Sequence, residues 1–155
     1  MTVKVKICGV TTLPQVEMVQ LSGADAIGLV LYDKSSRYVD LHDAIKLRRA
    51  IRSDVLCVAL VVNANEKFIQ SVISELKPDF IQFHGDETAE FCNHFNYPFI
   101  RAIRMSEDLN ILEEGKLYNY FQYIKKNYNL SSLGLSLINL WRVMALHPKE
   151  RKPGF

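Results

Sequence analysis

Near its start the chain reads Lys4-Val5-Lys6-Ile7-Cys8-Gly9-Val10-Thr11. Lysines alternate with apolar residues at a period of two, which predicts a β-strand, and Gly9 ends it. Thr11 or Thr12 is placed to cap a helix that begins at Leu13. The stretch therefore predicts a strand, a turn and a helix in succession, with a thiol at the carboxyl end of the strand. Folds of the α/β class place their chemistry at that end of a strand.

The same order of strand and helix repeats through the first 115 residues. Residues 25–31 and 55–62 are nearly continuous apolar runs, typical of strands that are buried on both faces of a parallel sheet. Further strands are predicted at 79–83 and 99–104, and helices are predicted after residues 12, 40, 65, 88 and 106. Single helices between strands imply right-handed parallel crossovers. Two architectures fit, a doubly wound sheet and a (β/α)8 barrel, and periodicity does not choose between them.

The Cys8 thiol has two interpretations. A free cysteine is among the most buried residue types and often acts as a small hydrophobe, whereas a thiol at the end of a strand is also a candidate catalytic group. The chain has three cysteines, Cys8, Cys57 and Cys92, which are widely spaced and form no Cys-x-x-Cys pair or Cys/His cluster. We therefore predict reduced thiols, with no disulfide framework, no metal site and no cofactor.

Length and composition limit the class of protein. The chain has 155 residues, enough for one ordinary core but fewer than the roughly 200 residues of a small complete barrel. No apolar run approaches the roughly 18 residues that a membrane span needs, and the first residues lack the pattern of a signal peptide. We expect a cytoplasmic protein that does not contact a membrane.

Charge divides the chain near residue 115. Residues 1–115 hold 12 Lys and Arg against 16 Asp and Glu, whereas residues 116–155 hold seven Lys and Arg against one acidic residue, Glu150. We predict a partial (β/α) barrel over residues 1–115 and a divergent basic segment over 116–155. The basic residues form neither a stripe along one helix face nor a known nucleic-acid-binding motif, so we expect no nucleic-acid partner.

Five blocks of sequence resemble one enzyme family. Residues 6–11 resemble the Lys-Ile-Cys-Gly-Ile-Thr opening of the phosphoribosylanthranilate isomerases, and residues 34–39 resemble their Lys-Ser-Pro-Arg-Tyr-Val loop, with Ser36 in place of proline. Residues 81–87, Ile-Gln-Phe-His-Gly-Asp-Glu, are similar to the family's Leu-Gln-Leu-His-Gly-Asp-Glu. Residues 22–32 and 61–64 resemble its second-strand block and third-strand end. The five blocks occur in the family's order between Lys4 and about Arg104, so the resemblance implies an incomplete (β/α)8 barrel with about five βα units.

The resemblance also implies an activity. The family isomerises N-(5-phosphoribosyl)anthranilate to 1-(2-carboxyphenylamino)-1-deoxyribulose 5-phosphate, an Amadori rearrangement in tryptophan biosynthesis, on a small phosphosugar substrate and without a cofactor. By this resemblance Cys8 is the general base and Arg37 binds the anthranilate carboxylate. His84 is either a substrate-binding residue at the catalytic face or a structural residue hydrogen-bonded to Asp86. Asp86 and Glu87 are interpreted as acidic residues that stabilise the start of the next helix.

The end of the chain departs from the family. Its general acid is an aspartate that ends the sixth strand, and its phosphate site is built after the seventh and eighth strands, yet residues 116–155 contain no aspartate. We expect this segment to be truncated or frameshifted relative to the family. The alternative function is a catalytically incomplete barrel fragment, which would self-associate through its open edge. A third and weaker alternative is another phosphosugar enzyme of a related barrel type.

In such a fragment the side chains facing the barrel interior are expected to be the following residues or their neighbours: Val5, Ile27, Leu29, Val58, Leu60 and Ile81.

Overall fold

The computed structural model describes residues 4–102, which contain five strands and the helices between them. The elements are β1 (Lys6–Cys8), α1 (Leu13–Leu21), β2 (Ala26–Val30), α2 (Leu41–Ala50), β3 (Leu56–Val61), α3 (Glu66–Ser71), a π-helical segment (Val72–Leu76), β4 (Phe80–Phe83), α4 (Ala89–His94) and β5 (Phe99–Arg101). The predicted strands and first four helices are confirmed. The helix predicted after residue 106, the boundary at 115 and the segment 116–155 lie outside the described residues.

The four helices begin where capping side chains are available. The Thr12, Asp40, Asn65 and Thr88 side chains accept hydrogen bonds from the backbone N–H groups of Gln15, Asp43, Phe68 and Phe91, respectively. Each of these side chains satisfies a backbone donor that the first helical turn leaves without an intrahelical partner. None of the helices within residues 4–102 is long and apolar enough to cross a membrane.

The five strands form one parallel sheet in the order β1-β2-β3-β4-β5. Every strand is therefore the neighbour of the strand that precedes it in the chain. A doubly wound sheet reverses its strand order at a switch point, and this sheet does not. Right-handed crossovers in an unreversed order place all the helices on one face of the sheet, as in a (β/α)8 barrel.

The sheet has a helix face and an inner face. Phe83 marks the helix face, because its ring packs against Phe91 and Phe95 of the α4 region. Pairing register places Ile81, Leu29 and Ile27 on this face too, and each is at most 1% exposed.

Above a row of Lys6, Ala26 and Leu56, two further rows of aligned residues form the inner face near the site. The lower row is Cys8, Gly28, Val58 and Phe80, and the upper row, nearer the carboxyl ends of the strands, is Val30, Leu60, Gln82 and Ile100. Of the side chains expected to point inward, only Val58 and Leu60 do so, and the neighbours of the other four take their place. Strands that are apolar on both faces do not reveal which set of alternate residues faces inward.

Strand β1 is an edge of the sheet, because among residues 4–102 it pairs with β2 alone. On its helix-side face Val5 is 41% exposed and Ile7 is 39% exposed, and the adjacent helix α1 exposes Met18 and Leu21. This edge therefore combines unpaired backbone groups with apolar side chains.

Candidate active site

The site begins at the carboxyl end of β1, where Cys8 lies half-buried on the inner face. Its partner in the register is Gly28. A Cβ atom added at Gly28 would lie 2.8 Å from Cys8 Sγ and 3.1 Å from Lys6 Nζ. The absence of a side chain at Gly28 therefore leaves room for both the thiol and the ammonium group over the inner face of β2.

Cys8 differs from the other two cysteines in its surroundings. None of the three forms a disulfide, but Cys57 and Cys92 are fully buried. Burial raises the pKa of the Cys57 thiol to about 12, so this group stays protonated and unreactive at neutral pH. Among the three thiols Cys8 alone is open to a ligand.

The turn after β1 brings Arg37 to Cys8. Gly9 has a φ of +87°, and its N–H donates a 2.8 Å hydrogen bond to the carbonyl oxygen of Gly28. The Arg37 side chain crosses over this glycine, so that a Cβ at Gly9 would lie 2.8 Å from Arg37 Nη1. Arg37 Nη1 donates a 3.0 Å hydrogen bond to the Cys8 carbonyl oxygen. The family resemblance implies Cys8 as the base and Arg37 as the carboxylate ligand, and the structure shows these two residues in direct contact.

The loop that carries Arg37 is well connected although Ser36 replaces proline. Its backbone closes through hydrogen bonds from Ser35 N–H to Tyr32 O at 3.0 Å and from Tyr38 N–H to Ser35 O at 3.1 Å. The Val39 N–H donates to the Val30 carbonyl oxygen at the end of β2. The loop is therefore anchored to the sheet on the far side of Arg37.

His84 lies at the same edge of the sheet. Its backbone N–H donates a 2.9 Å hydrogen bond to the Val61 carbonyl oxygen, which continues the β3–β4 ladder by one residue. The imidazole is half-buried. Both interpretations of His84 stay predictions.

A buried ion pair, missed in the sequence, connects the neighbouring loops. The Glu87 side chain is 3% exposed and lies 2.8 Å from Arg101 Nη1. Its carboxylate also accepts hydrogen bonds from the backbone N–H groups of Asn63 at 2.7 Å and Gly85 at 2.9 Å. The capping interpretation of Glu87 is therefore wrong, because Thr88 caps the helix and Glu87 is used between loops. The sequence does carry a signal for this pair, because Arg101 lies in a buried strand and a buried guanidinium needs an acidic partner.

Arg101 completes this network from β5. Its guanidinium donates to the carbonyl oxygens of Phe83 at 3.2 Å and Gly85 at 2.6 Å. Asn63 Oδ1 accepts from the Asp86 N–H at 2.7 Å, and a Cβ at Gly85 would lie 2.8 Å from the Asn63 backbone nitrogen. The loops after β3 and β4 and the end of β5 are thus held against one another.

One surface group among residues 4–102 offers three ligand atoms that could hold a metal ion. Asp40, His42 and Asp43 bring them within 4.8 Å of one another, and all three residues are exposed. Asp40 already caps helix α2, and Asp43 pairs with Lys46 at 2.8 Å. The group is accounted for by the start of helix α2.

Comparison with known proteins decides the family. Residues 5–124 match the sequence model of the family N-(5'-phosphoribosyl)anthranilate (PRA) isomerase. The chain belongs to the PRA isomerase family. The match runs past residue 104, where the recognised blocks end.

Curated relatives carry the same name. The PRA isomerase of Nitrosomonas europaea is 35% identical over 118 residues, covering 76% of this chain and 56% of the relative. That of Pseudomonas aeruginosa is 40% identical over 116 residues, covering 75% of this chain and 55% of the relative. The chain therefore spans about half the length of the curated relatives it matches.

Solved structures agree on the fold. The phosphoribosylanthranilate isomerase of Thermotoga maritima superimposes with a TM-score of 0.69 at 32% identity, covering 80% of this chain and 58% of that one. A crystal structure of a PRA isomerase bound to reduced 1-(o-carboxyphenylamino)-1-deoxyribulose 5-phosphate gives the same score and identity, covering 80% and 62%. The five parallel strands are thus the strands of an α/β barrel.

Proposed function

We propose that this chain carries the β1–β5 part of a PRA isomerase site and acts on N-(5-phosphoribosyl)anthranilate. The observation that carries the proposal is the hydrogen bond from Arg37 Nη1 to the backbone carbonyl oxygen of Cys8, which holds a guanidinium at the residue that carries a half-buried thiol at the carboxyl edge of a barrel sheet. A planar guanidinium binds a carboxylate through two parallel hydrogen bonds. A substrate held by its anthranilate carboxylate at Arg37 then extends over Cys8.

The rearrangement needs one acid and one base. The acid gives a proton to the ring oxygen, the bond between that oxygen and C1 breaks, and nitrogen stabilises C1 as an iminium ion. The base, Cys8 as thiolate, then removes the proton from C2, and the electron pair forms a C1–C2 double bond while the iminium nitrogen is neutralised. The resulting enol tautomerises to the ketose, which moves the carbonyl from C1 to C2.

A second candidate is a barrel that binds the substrate without turning it over. The observation in its favour is that residues 116–155 contain no aspartate, the residue type that the family uses as general acid. The three cysteines, which form no disulfide, support the proposal that the chain is located in the cytoplasm, a reducing compartment.

Binding and turnover measured on the same sample separate these candidates. We expect the 155-residue chain to bind reduced 1-(o-carboxyphenylamino)-1-deoxyribulose 5-phosphate in a fluorescence titration. Arg37→Ala should weaken that binding through loss of the carboxylate contact, whereas exposed Arg49→Ala should not. Loss of phosphoribosylanthranilate fluorescence reports turnover, and Cys8→Ala should lower any turnover by roughly 100- to 10,000-fold. A wild-type chain that binds without turnover would favour the second candidate, and a chain that does neither would refute both.

A further inference from the structure

A buried glutamine on the inner face has an oxygen with no partner. Gln82 is 7% exposed, and no donor among residues 4–102 reaches its side-chain Oε1. Burying a carbonyl oxygen without a hydrogen bond destabilises a fold, and native proteins rarely leave one so. A buried polar group of this kind calls for a partner from outside residues 4–102.

A second buried glutamine shows how this fold satisfies a structural amide. Gln20 is 9% exposed, its Nε2 donates to the Ala50 carbonyl oxygen at 3.3 Å, and its Oε1 accepts from the Arg52 N–H at 2.6 Å. Gln20 therefore joins helix α1 to the end of helix α2. Gln82 has the same burial, but its carbonyl oxygen joins nothing in residues 4–102.

Gln82 lies on the same inner face as Cys8, three strands along the sheet from it. Gln82 lies in the upper row of the inner face, in register with Leu60 and Ile100. His84 follows Gln82 by two residues and continues the β4 ladder, and side chains two residues apart along a strand point to the same face. Cys8 lies in the row directly below, on the same inner face. The residues paired with Gln82 are aliphatic, so they supply no side-chain donor.

We propose that Gln82 is a further substrate-binding residue, whose Oε1 accepts a hydrogen bond from an N–H or O–H group of the substrate beside the carbon that Cys8 deprotonates. The inference rests on the proposed function and deepens it. The substrate offers two such donors, the anilino N–H on C1 and the hydroxyl on C2. Either donor would satisfy the buried oxygen and fix the reacting carbon over the inner face that carries the thiol.

The test compares two isosteric variants, Gln82→Met and Gln20→Met. Methionine keeps the length of the side chain and removes its hydrogen-bonding groups. Affinity for reduced 1-(o-carboxyphenylamino)-1-deoxyribulose 5-phosphate is measured by fluorescence titration, and stability by the urea midpoint of unfolding. We expect Gln82→Met to weaken binding about tenfold, the effect of one well-placed hydrogen bond, while the urea midpoint stays the same or rises. Gln20→Met should lower the urea midpoint and leave the affinity of the folded protein within about twofold.

Each other result has a defined meaning. If the wild-type chain binds and Gln82→Met binds equally well, the inference is overturned while the proposed function stands. If Gln82→Met loses as much stability as Gln20→Met, Oε1 has a structural partner and the inference is overturned whatever the affinity. If the wild-type chain does not bind, the inference and the proposed function both fail.

Smaller probes then identify the donor. Anthranilate has the nitrogen without the sugar, and ribose 5-phosphate has the C2 hydroxyl without the nitrogen. A loss of affinity in Gln82→Met for anthranilate alone assigns the N–H group, and a loss for ribose 5-phosphate alone assigns the hydroxyl. A loss for neither, together with unchanged affinity for the full ligand, overturns the assignment.

Discussion

Replacing Glu87 by glutamine should strongly destabilise the fold. The carboxylate is 3% exposed and accepts three hydrogen bonds, from Asn63 N–H, Gly85 N–H and Arg101 Nη1. Glutamine has nearly the same shape but offers one acceptor oxygen, and its NH2 group would face a donor. The change therefore leaves the Arg101 charge without its counterion in a site where Arg101 is only 13% exposed.

The magnitude follows from this burial. Removing one partner of a buried ion pair costs about 3 to 5 kcal/mol, because the remaining charge is not solvated. A typical domain has about 5 to 15 kcal/mol of stability, so the loss is a large part of the total. With a urea dependence of about 2 kcal/mol per molar, the unfolding midpoint should fall by about 2 M.

The assay is urea unfolding followed by circular dichroism on the wild-type chain, Glu87→Gln and a control. Asp54→Asn is the matched control, because Asp54 pairs with Arg52 at 2.9 Å but both side chains are more than half exposed. We expect no measurable change in that variant, since solvent screens exposed pairs. A Glu87→Gln midpoint within 0.3 M of the wild type, roughly the uncertainty of such fits, would refute the argument that this pair holds the loops.

Three further changes test other parts of the structure. Gly28→Ala would place a methyl group 2.8 Å from Cys8 Sγ, so we expect urea unfolding to show a loss of about 1 to 3 kcal/mol, with most of it recovered when Cys8→Ala is added. Burial raises the pKa of the Cys57 thiol from 9.0 to about 12, so the contribution of the neutral thiol to stability should be complete below pH 9 and be lost as the pH rises toward 12. Urea unfolding of the wild-type chain and Cys57→Ala at pH 8 and pH 10.5 measures this loss, and the variant should lack it. Ile7→Lys should lower the mass measured by light scattering if the chain self-associates through β1, because a charged edge opposes strand pairing, and an unchanged mass would place the contact elsewhere.

The order of elements could be predicted from the sequence because each signal is local. Apolar runs marked the strands, and Thr12 and Asp40 stand at helix starts where their side chains accept backbone hydrogen bonds. The position of Cys8 on the inner face follows from its place in β1 once the register with Gly28 is known. The contact between Arg37 and Cys8 joins residues 29 positions apart, and it was accessible only through the family resemblance.

Features that depend on pairing between strands could not be predicted. The inward-facing residues of β2 are expected to be Ile27 and Leu29 or their neighbours, and the sequence does not choose between these sets because β2 is buried on both faces and carries no alternation to set the phase. The partnership of Glu87 with Arg101 requires β5 to lie beside β4, which a linear sequence does not state. Gln82 did carry a signal, because a polar residue inside an otherwise apolar strand is either an inner-face ligand or an error in the strand assignment.

The two halves of the candidate site are held by different physical means. Around β1 and β2 the atoms that would meet a substrate are positioned by the space that two glycines leave. The Arg37 side chain crosses over Gly9, and the Cys8 thiol lies against Gly28. Around β4 and β5 such atoms are positioned by a buried charge pair that draws four carbonyl and amide groups together. Steric positioning tolerates changes of salt but not an added methyl group, whereas the ion pair tolerates small changes of shape but not loss of a charge. A substrate that spans from Arg37 to Gln82 would lie between these halves, so a change in either half would alter its distance from the Cys8 thiol.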